Sequence, residues 1–184
     1  MTKTDVRDSV ILVDEKDNEI GVMEKLLAHK NGVRHRAFSI FVLNKDGQLL
    51  LQKRASHKYH SPGLWSNTCC SHQLPGENEE LAVLKRLDYE MGITCKNHSW
   101  IFDFTYNKKF DNGLIENEYD RIYLGYSDEN PVINTLEVEE YMWIGLDELQ
   151  NDLMNNIEHY TYWLIQIFPR FKAYVTKAIP VDDN

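Results

Sequence analysis

The chain alternates between two hydrophobic periods. The stretch "DSVILVDEKDNEIGVMEK" gives two short apolar runs around a polar turn at 16–18, which predicts a strand, a turn and a second strand. "RAFSIFVLNKDGQLLLQKR" carries two β-rich runs joined at Asp46-Gly47, a strong turn signal, and predicts a hairpin. Residues 55–76 hold Pro62-Gly63 and Pro75-Gly76 and read as loop. From 77 to 91 the period becomes helical. Val83, Leu84, Leu87 and Met91 form an apolar stripe, and Glu77, Glu79 and Glu80 fall in the first turn, where the helix dipole favours carboxylates. Gly92 is the expected stop. Strand patterns follow at 100–107, 115–126 and 140–144, then a helix from "LDELQNDL" and a longer aromatic one from "HYTYWLIQIFPRFKAYV". Strands in the middle, one helix between them and more at the end predict an α+β or mixed α/β fold.

The length, 184 residues, suits a single domain spanning 1–184, with 1–7 and 179–184 expected to be flexible ends. The composition is 42% apolar and 27% charged, ordinary for a globular protein. No apolar run approaches the roughly 18 residues of a membrane span, and the first ten residues lack a signal-peptide core. A cytoplasmic protein without a membrane partner is expected. The net charge of −9 argues against a nucleic-acid partner but not against an anionic substrate, because a local basic pocket or bound cations reverse the field. Three cysteines in a reducing compartment make no disulfide framework, and a bridge between neighbours Cys69 and Cys70 would be strained.

Three features carry candidate chemistry. In "LIENEYDRIYLGY" strand alternation puts Glu116, Glu118 and Asp120 on one face with Ile122 and Leu124, which suggests an inward face. Carboxylates at i and i+2 lie about 7 Å apart at Cα; buried together they raise each other's pKa or require a cation. The competing reading is a solvated acidic edge. The second feature is His29 and His35, flanking a short loop, with His72 after the cysteine pair; imidazole suits first-row divalent ions, though this spacing matches no standard metal motif. His57, His60, His98 and His159 read as ordinary surface or core residues. The third is Glu90, on the flank of the helical stripe, with Arg86 one turn back as an i,i+4 partner worth a few tenths of a kcal/mol.

Together, "GVRHRAFSIFVLN", "LLLQKRASHKYHSPGLWSNTCCSH", "YEMGI" and "GLIENEYDRIYLG" resemble type I isopentenyl-diphosphate isomerases, a family with a Nudix fold, from about residue 8 to 168. The resemblance implies interconversion of isopentenyl and dimethylallyl diphosphate in isoprenoid biosynthesis, by adding one proton to the alkene and removing another. It implies Cys70 as one proton carrier and Glu118, assisted by Tyr106, as the other, with Trp163 over the hydrocarbon. His29, His35, His72, Glu116 and Glu118 would hold a tightly bound divalent ion, Mn²⁺, Zn²⁺ or Mg²⁺. A Mg²⁺ ion would join the diphosphate to Glu90 and to the Cys70 backbone carbonyl, while Lys25, Arg54, Lys58 and Arg86 grip the phosphate oxygens. The partner is a small isoprenoid diphosphate, and the chain is expected as a monomer or weak homodimer. Cys69 reads as core packing.

One departure separates this chain from Nudix hydrolases. The hydrolase box G-x5-E-x7-R-E-U-x-E-E-x-G-U, counted back from Glu90-Met91-Gly92-Ile93, puts Arg86 and Tyr89 where two of its core carboxylates belong. Metal-assisted water attack needs those carboxylates. A hydrolase on nucleoside or isoprenoid diphosphates, and an inactive metal-dependent binding module, are the competing functions; the box substitutions weigh against the first. Cys70, Glu118, Tyr106 and Trp163 together weigh against the second.

Overall fold

The computed structural model describes residues 8–58 and 60–178. Its elements run β1 (Ser9–Val13), β2 (Glu19–Glu24), α1 (Lys25–Asn31), β3 (His35–Leu43), β4 (Gln48–Arg54), β5 (Trp65–Ser66), β6 (Cys69–Ser71), α2 (Glu79–Met91), β7 (Asn97–Lys109), β8 (Ile115–Tyr126), β9 (Val138–Gly145), α3 (Leu146–Asn155) and α4 (Tyr162–Ala178). The strands join one mixed sheet with helices on both sides, an α+β fold. Among the described residues, no helix is long and apolar enough to cross a membrane. The terminal segments 1–7 and 179–184 lie outside the described residues.

Strand β3 is the axis. All nine of its residues are buried. Along one edge it runs parallel to β8, from His35 opposite Glu118 to Leu43 opposite Tyr126. Along the other it is antiparallel to β6, with Ser39 opposite Cys70. Its even positions Phe38, Ile40 and Val42 pack with Cys69 beneath Val83, Leu87 and Met91 of α2. Phe41 and Leu43 pack against Trp163, Ile167, Phe168 and Phe171 of α4. Apolar cover on both faces explains the unbroken apolar run Ile40, Phe41, Val42, Leu43 that ends β3.

The turn at 44–47 forms as expected, with Asn44 and Gln48 paired across it. The hairpin does not continue: β3 and β4 pair only at Leu43 and Leu49. β4 turns away to pair with β9 over seven residues, while β3 takes β8. Segment 55–76 is not all loop either, since β5 and β6 lie within it. The helix predicted from 77 begins at Glu79, capped by Asn78, whose Oδ1 accepts from the Leu81 N–H at 3.0 Å. Glu77 precedes it, and its carboxylate accepts from the Leu74 N–H and Lys85. Gly92 ends α2 at φ 61°, where a Cβ would stand 2.5 Å from the Val132 carbonyl oxygen, so glycine is required twice over. The last helix starts at Tyr162, after a 3₁₀ turn at Ile157–His159.

Candidate active site

His29 does not border a loop. It lies on α1, a seven-residue helix whose first N–H groups, of Leu26 and Leu27, are capped by the Glu24 carboxylate at 2.8 Å each. Gly32 closes the helix in the left-handed region, and the chain enters β3 at His35. His29 Nδ1 donates to the Lys25 carbonyl one turn back, at 2.6 Å, and His35 Nδ1 donates to the Val33 carbonyl at 2.9 Å. Those bonds fix the tautomer and leave both Nε2 lone pairs directed inward. His72 follows β6, and Glu118 stands opposite His35 on β8.

The ligand atoms of His29, His35, His72 and Glu118 all lie within 4.8 Å of one another, and three of the four residues are buried. Glu116, expected in the same group, adjoins it: its Oε1 is 3.2 Å from His29 Nε2. Its Oε2 is buried without a hydrogen-bond partner among the described residues, as is His35 Nε2. A neutral His29, its Nδ1–H already committed, presents a lone pair to a carboxylate oxygen at that distance. Two acceptors facing each other require a proton or a metal ion between them. Three imidazoles with carboxylates and orphaned inward atoms fit a divalent first-row ion.

The charges agree with that fit. Burial penalises the Glu118 carboxylate, yet the His35 ring, 3.6 Å away, and the hydrogen bond from His72 at 3.0 Å outweigh it and hold the group well below the usual range. Burial, reinforced by the Lys25 charge, pushes His72 down to about 3, so its ring is neutral. Glu116 is also lowered: burial and Glu118 oppose its charge, and contacts with His29 and His60 prevail. Asp120, on the same inward face, goes the other way. Burial and then the Glu118 charge raise it well above the usual carboxyl value, and its Oδ2 accepts from the Ser39 hydroxyl at 2.8 Å. The acidic face is therefore inward, as its alternation suggested: Glu116, Glu118 and Asp120 are all buried.

Beside this cluster lies a cleft of about 680 Å³. Its floor is β3 at Ala37 and Ser39; Cys70 comes from the strand on one edge and Glu118 from the strand on the other. Burial pushes the Cys70 thiol up to about 12, only partly opposed by Arg54, so it is protonated. Tyr106 Oη donates to Glu118 Oε2 at 2.6 Å, and burial followed by that carboxylate raises the phenol well above its ordinary value. Trp163 is held by its indole N–H, 2.9 Å from Ser66 Oγ and 3.1 Å from Asn67 Oδ1. Lys25, Arg54, Lys58 and Arg86 all line the cleft. Arg54 donates to the His60 carbonyl and stands 5.3 Å from the Trp163 ring centre. Arg86 Nε meets Glu90 Oε1 at 2.8 Å, so the i,i+4 pair forms; the other Glu90 oxygen accepts from Gln52 at 2.8 Å. Cys69 points to the opposite side, fully buried under α2, and all three cysteines are free thiols.

Two residues of the cleft escaped sequence reasoning. His60, read as an ordinary surface or core residue, lines it, with Nε2 2.9 Å from Glu116 Oε1 and its ring 5.4 Å from that of Trp163. Glu137 pairs with both Lys58 and Arg86. Glu137 lies in no quoted motif, and nothing local in the stretch around His60 marks that residue; each reaches the cleft through tertiary folding.

Residues 33–164 match the NUDIX domain family. Isopentenyl-diphosphate Delta-isomerase 2 of Aromatoleum aromaticum is 46% identical over 165 residues, covering 90% of this chain and 87% of that protein. Isopentenyl-diphosphate Delta-isomerase of Pectobacterium atrosepticum is 47% identical over 165 residues, covering 90% and 92%. Among solved structures, DR0079 from Deinococcus radiodurans superposes with a TM-score of 0.72 at 19% identity, covering 88% of this chain and 98% of that one, a likeness of fold. Sequence identity at this level across nearly the whole length, with a NUDIX match through the cleft, means that the chain belongs to the isopentenyl-diphosphate Delta-isomerase family within the NUDIX fold.

Proposed function

We propose that the chain interconverts isopentenyl diphosphate and dimethylallyl diphosphate by proton addition and removal, as an enzyme of isoprenoid biosynthesis. One observation supports this above the rest: a protonated thiol, Cys70, and an ionised carboxylate, Glu118, flank the same strand and face the same buried cleft. A reaction that puts one proton in and takes another out needs such a complementary pair, and each member serves as acid in one direction and base in the other.

The residues divide the work. Cys70 exchanges a proton on one side of the alkene, and Glu118, with Tyr106 as its hydrogen-bonded relay, exchanges one on the other. Trp163 covers the hydrocarbon; an indole face stabilises tertiary cationic character by about 2 kcal/mol when dry, without attacking it. Burial excludes the water that would trap a cation. Lys25, Arg54, Lys58 and Arg86 bind the diphosphate, Arg through its planar fork. His29, His35, His72, Glu116 and Glu118 would hold one divalent ion, Mn²⁺, Zn²⁺ or Mg²⁺, and Glu90 with the Cys70 carbonyl would hold Mg²⁺ together with the diphosphate. Bound there, these ions supply positive charge that offsets the buried carboxylates and the substrate's phosphates. We place the reaction in the cytoplasm, with a small-molecule diphosphate as partner, no nucleic acid or membrane, and the chain as a monomer or weak homodimer.

Hydrolysis is disfavoured by Arg86, which occupies a box position needed for a carboxylate and is committed to Glu90 and Glu137. The deciding experiment incubates the protein with Mg²⁺ and isopentenyl diphosphate in deuterated water. Dimethylallyl diphosphate carrying deuterium is the expected product; release of phosphate or pyrophosphate alone would defeat the isomerase reading.

A further inference from the structure

Glu137 precedes β9, outside every motif discussed so far, and its side chain is only 14% exposed. Its carboxylate contacts Lys58 Nζ through one oxygen and Arg86 Nη2, at 3.2 Å, through the other. The segment that carries it is tied to both elements bearing those cations. The Asn134 N–H donates to the Glu90 carbonyl at the end of α2, and the Glu137 N–H donates to the Asn134 carbonyl. The Ala55 N–H donates to the Glu137 carbonyl at 3.0 Å, and the His57 ring contacts the Leu136 carbonyl at 2.9 Å. The loop holding Lys58 and the helix holding Arg86 therefore meet at this residue.

We propose that Glu137 is a positioning residue for the diphosphate site, holding Lys58 and Arg86 side by side with their remaining N–H donors directed into the cleft. The proposal rests on the isomerase reading, since it assumes that these two cations meet a diphosphate. Its physical basis is a balance of two effects. A carboxylate next to an anion site weakens the site through its field. Two cations brought together repel, however, and both side chains carry rotamer entropy that binding would otherwise have to remove. A half-buried carboxylate between them relieves the repulsion and fixes both rotamers beforehand, and such preorganisation raises affinity. Arg86 is fixed from both sides, by Glu90 at Nε and by Glu137 at Nη2. Contacts with Lys58 and Arg86 hold the Glu137 carboxyl below its ordinary value despite the opposing effect of burial, so it stays ionised while the site is empty.

The test compares wild type with Glu137→Gln and Glu137→Asp. Magnesium pyrophosphate binding is measured by calorimetry, and kcat and KM for isopentenyl diphosphate by product formation. Glu137→Gln is expected to weaken pyrophosphate binding and raise KM by about tenfold, equivalent to about 1.4 kcal/mol, with kcat within about twofold of wild type. Glu137→Asp keeps the charge and is expected to recover part of the loss. In a Lys58→Met background most of the effect of Glu137→Gln disappears, which a general loss of stability would not produce. Unchanged or tighter pyrophosphate binding in Glu137→Gln overturns the proposal, because the field of Glu137 would then outweigh its geometry. So does a fall in kcat at constant KM. If Glu137→Gln does not fold, Glu137→Asp carries the test: pyrophosphate affinity equal to wild type with a shortened reach also overturns it. Pyrophosphate binding does not depend on turnover, so failure of the wild type to form dimethylallyl diphosphate counts against the isomerase reading alone.

Discussion

Cys69 and Cys70 are adjacent in the chain and chemically identical, yet they belong to different parts of the molecule. Cys69 is sealed beneath α2 among Val83, Leu87 and Met91, where burial raises its thiol well above the usual value and no substrate could reach it. Cys70 faces the cleft with Glu118, Tyr106 and Trp163. The backbone makes this division. Both lie on β6, and successive residues of a strand face opposite sides. The same parity runs along β3, whose even positions are wholly apolar from 38 to 42 while Ala37 and Ser39 floor the cleft. Both faces of the sheet thus carry apolar core, but only the face shared by Ala37, Ser39 and Cys70 opens into the cleft.

The comparison can be broken at several points. Cys70→Ala should lower turnover by about 10³-fold while the thermal melt and metal content stay near wild type, because general acid–base groups contribute on that scale. Loss of metal in that variant, by elemental analysis, would make Cys70 a ligand instead. Removing divalent ions with a chelator should lower turnover by about 10²-fold or more and reduce the melting temperature, since it leaves buried carboxylates and imidazole lone pairs facing one another; an unchanged melt would mean the His29–His35–His72–Glu118 cluster binds no ion. Tyr106→Phe removes a hydrogen bond to an ionised carboxylate, worth about 1.5–3 kcal/mol, and should cut kcat at least tenfold with KM little changed. Cys69→Ala should leave kcat within about twofold but cost about 1–2 kcal/mol of stability through the cavity it opens; collapse of turnover in a folded Cys69→Ala protein would contradict the division between the faces.

A pH experiment sharpens the comparison further. The Cys70 pKa is raised by folding, so its contribution to stability is complete below the unfolded value near 9 and declines as pH climbs toward about 12. Denaturant titrations of wild type should therefore lose stability over that alkaline window more steeply than those of Cys70→Ala. Parallel curves would show that the folded thiol ionises like an exposed one.

What the sequence disclosed follows the range of the interactions involved. The inward turn of Glu116, Glu118 and Asp120 was legible because period-two alternation is local. So was α2, with its stripe and its Gly92 stop. The β3–β4 hairpin is not legible in this way, because Asp46-Gly47 specifies only a turn; the partners of the two strands, β8 and β9, come from more than sixty positions away. Helix α1 leaves no sequence signal, because seven residues cannot show a helical period and its cap is Glu24 rather than a residue typical of that position. β5 and β6, of two and three residues, exist only through pairing with β4 and β3. His60 and Glu137 join the cleft through tertiary folding alone.

Helix α1 has a consequence beyond the site it helps to build. Lys25 opens the helix and lines the cleft with the other cations, while its own carbonyl oxygen orients His29 one turn later. A residue proposed to grip the anion and a residue proposed to hold the ion are thus parts of one rigid turn of backbone. Any shift of His29 on metal loading is transmitted to Lys25 without an intervening hinge. Thermodynamic reciprocity then requires that diphosphate raise the affinity for the metal by the same factor as the metal raises the affinity for diphosphate: the dissociation constant of the ion becomes a report on whether the cleft is filled.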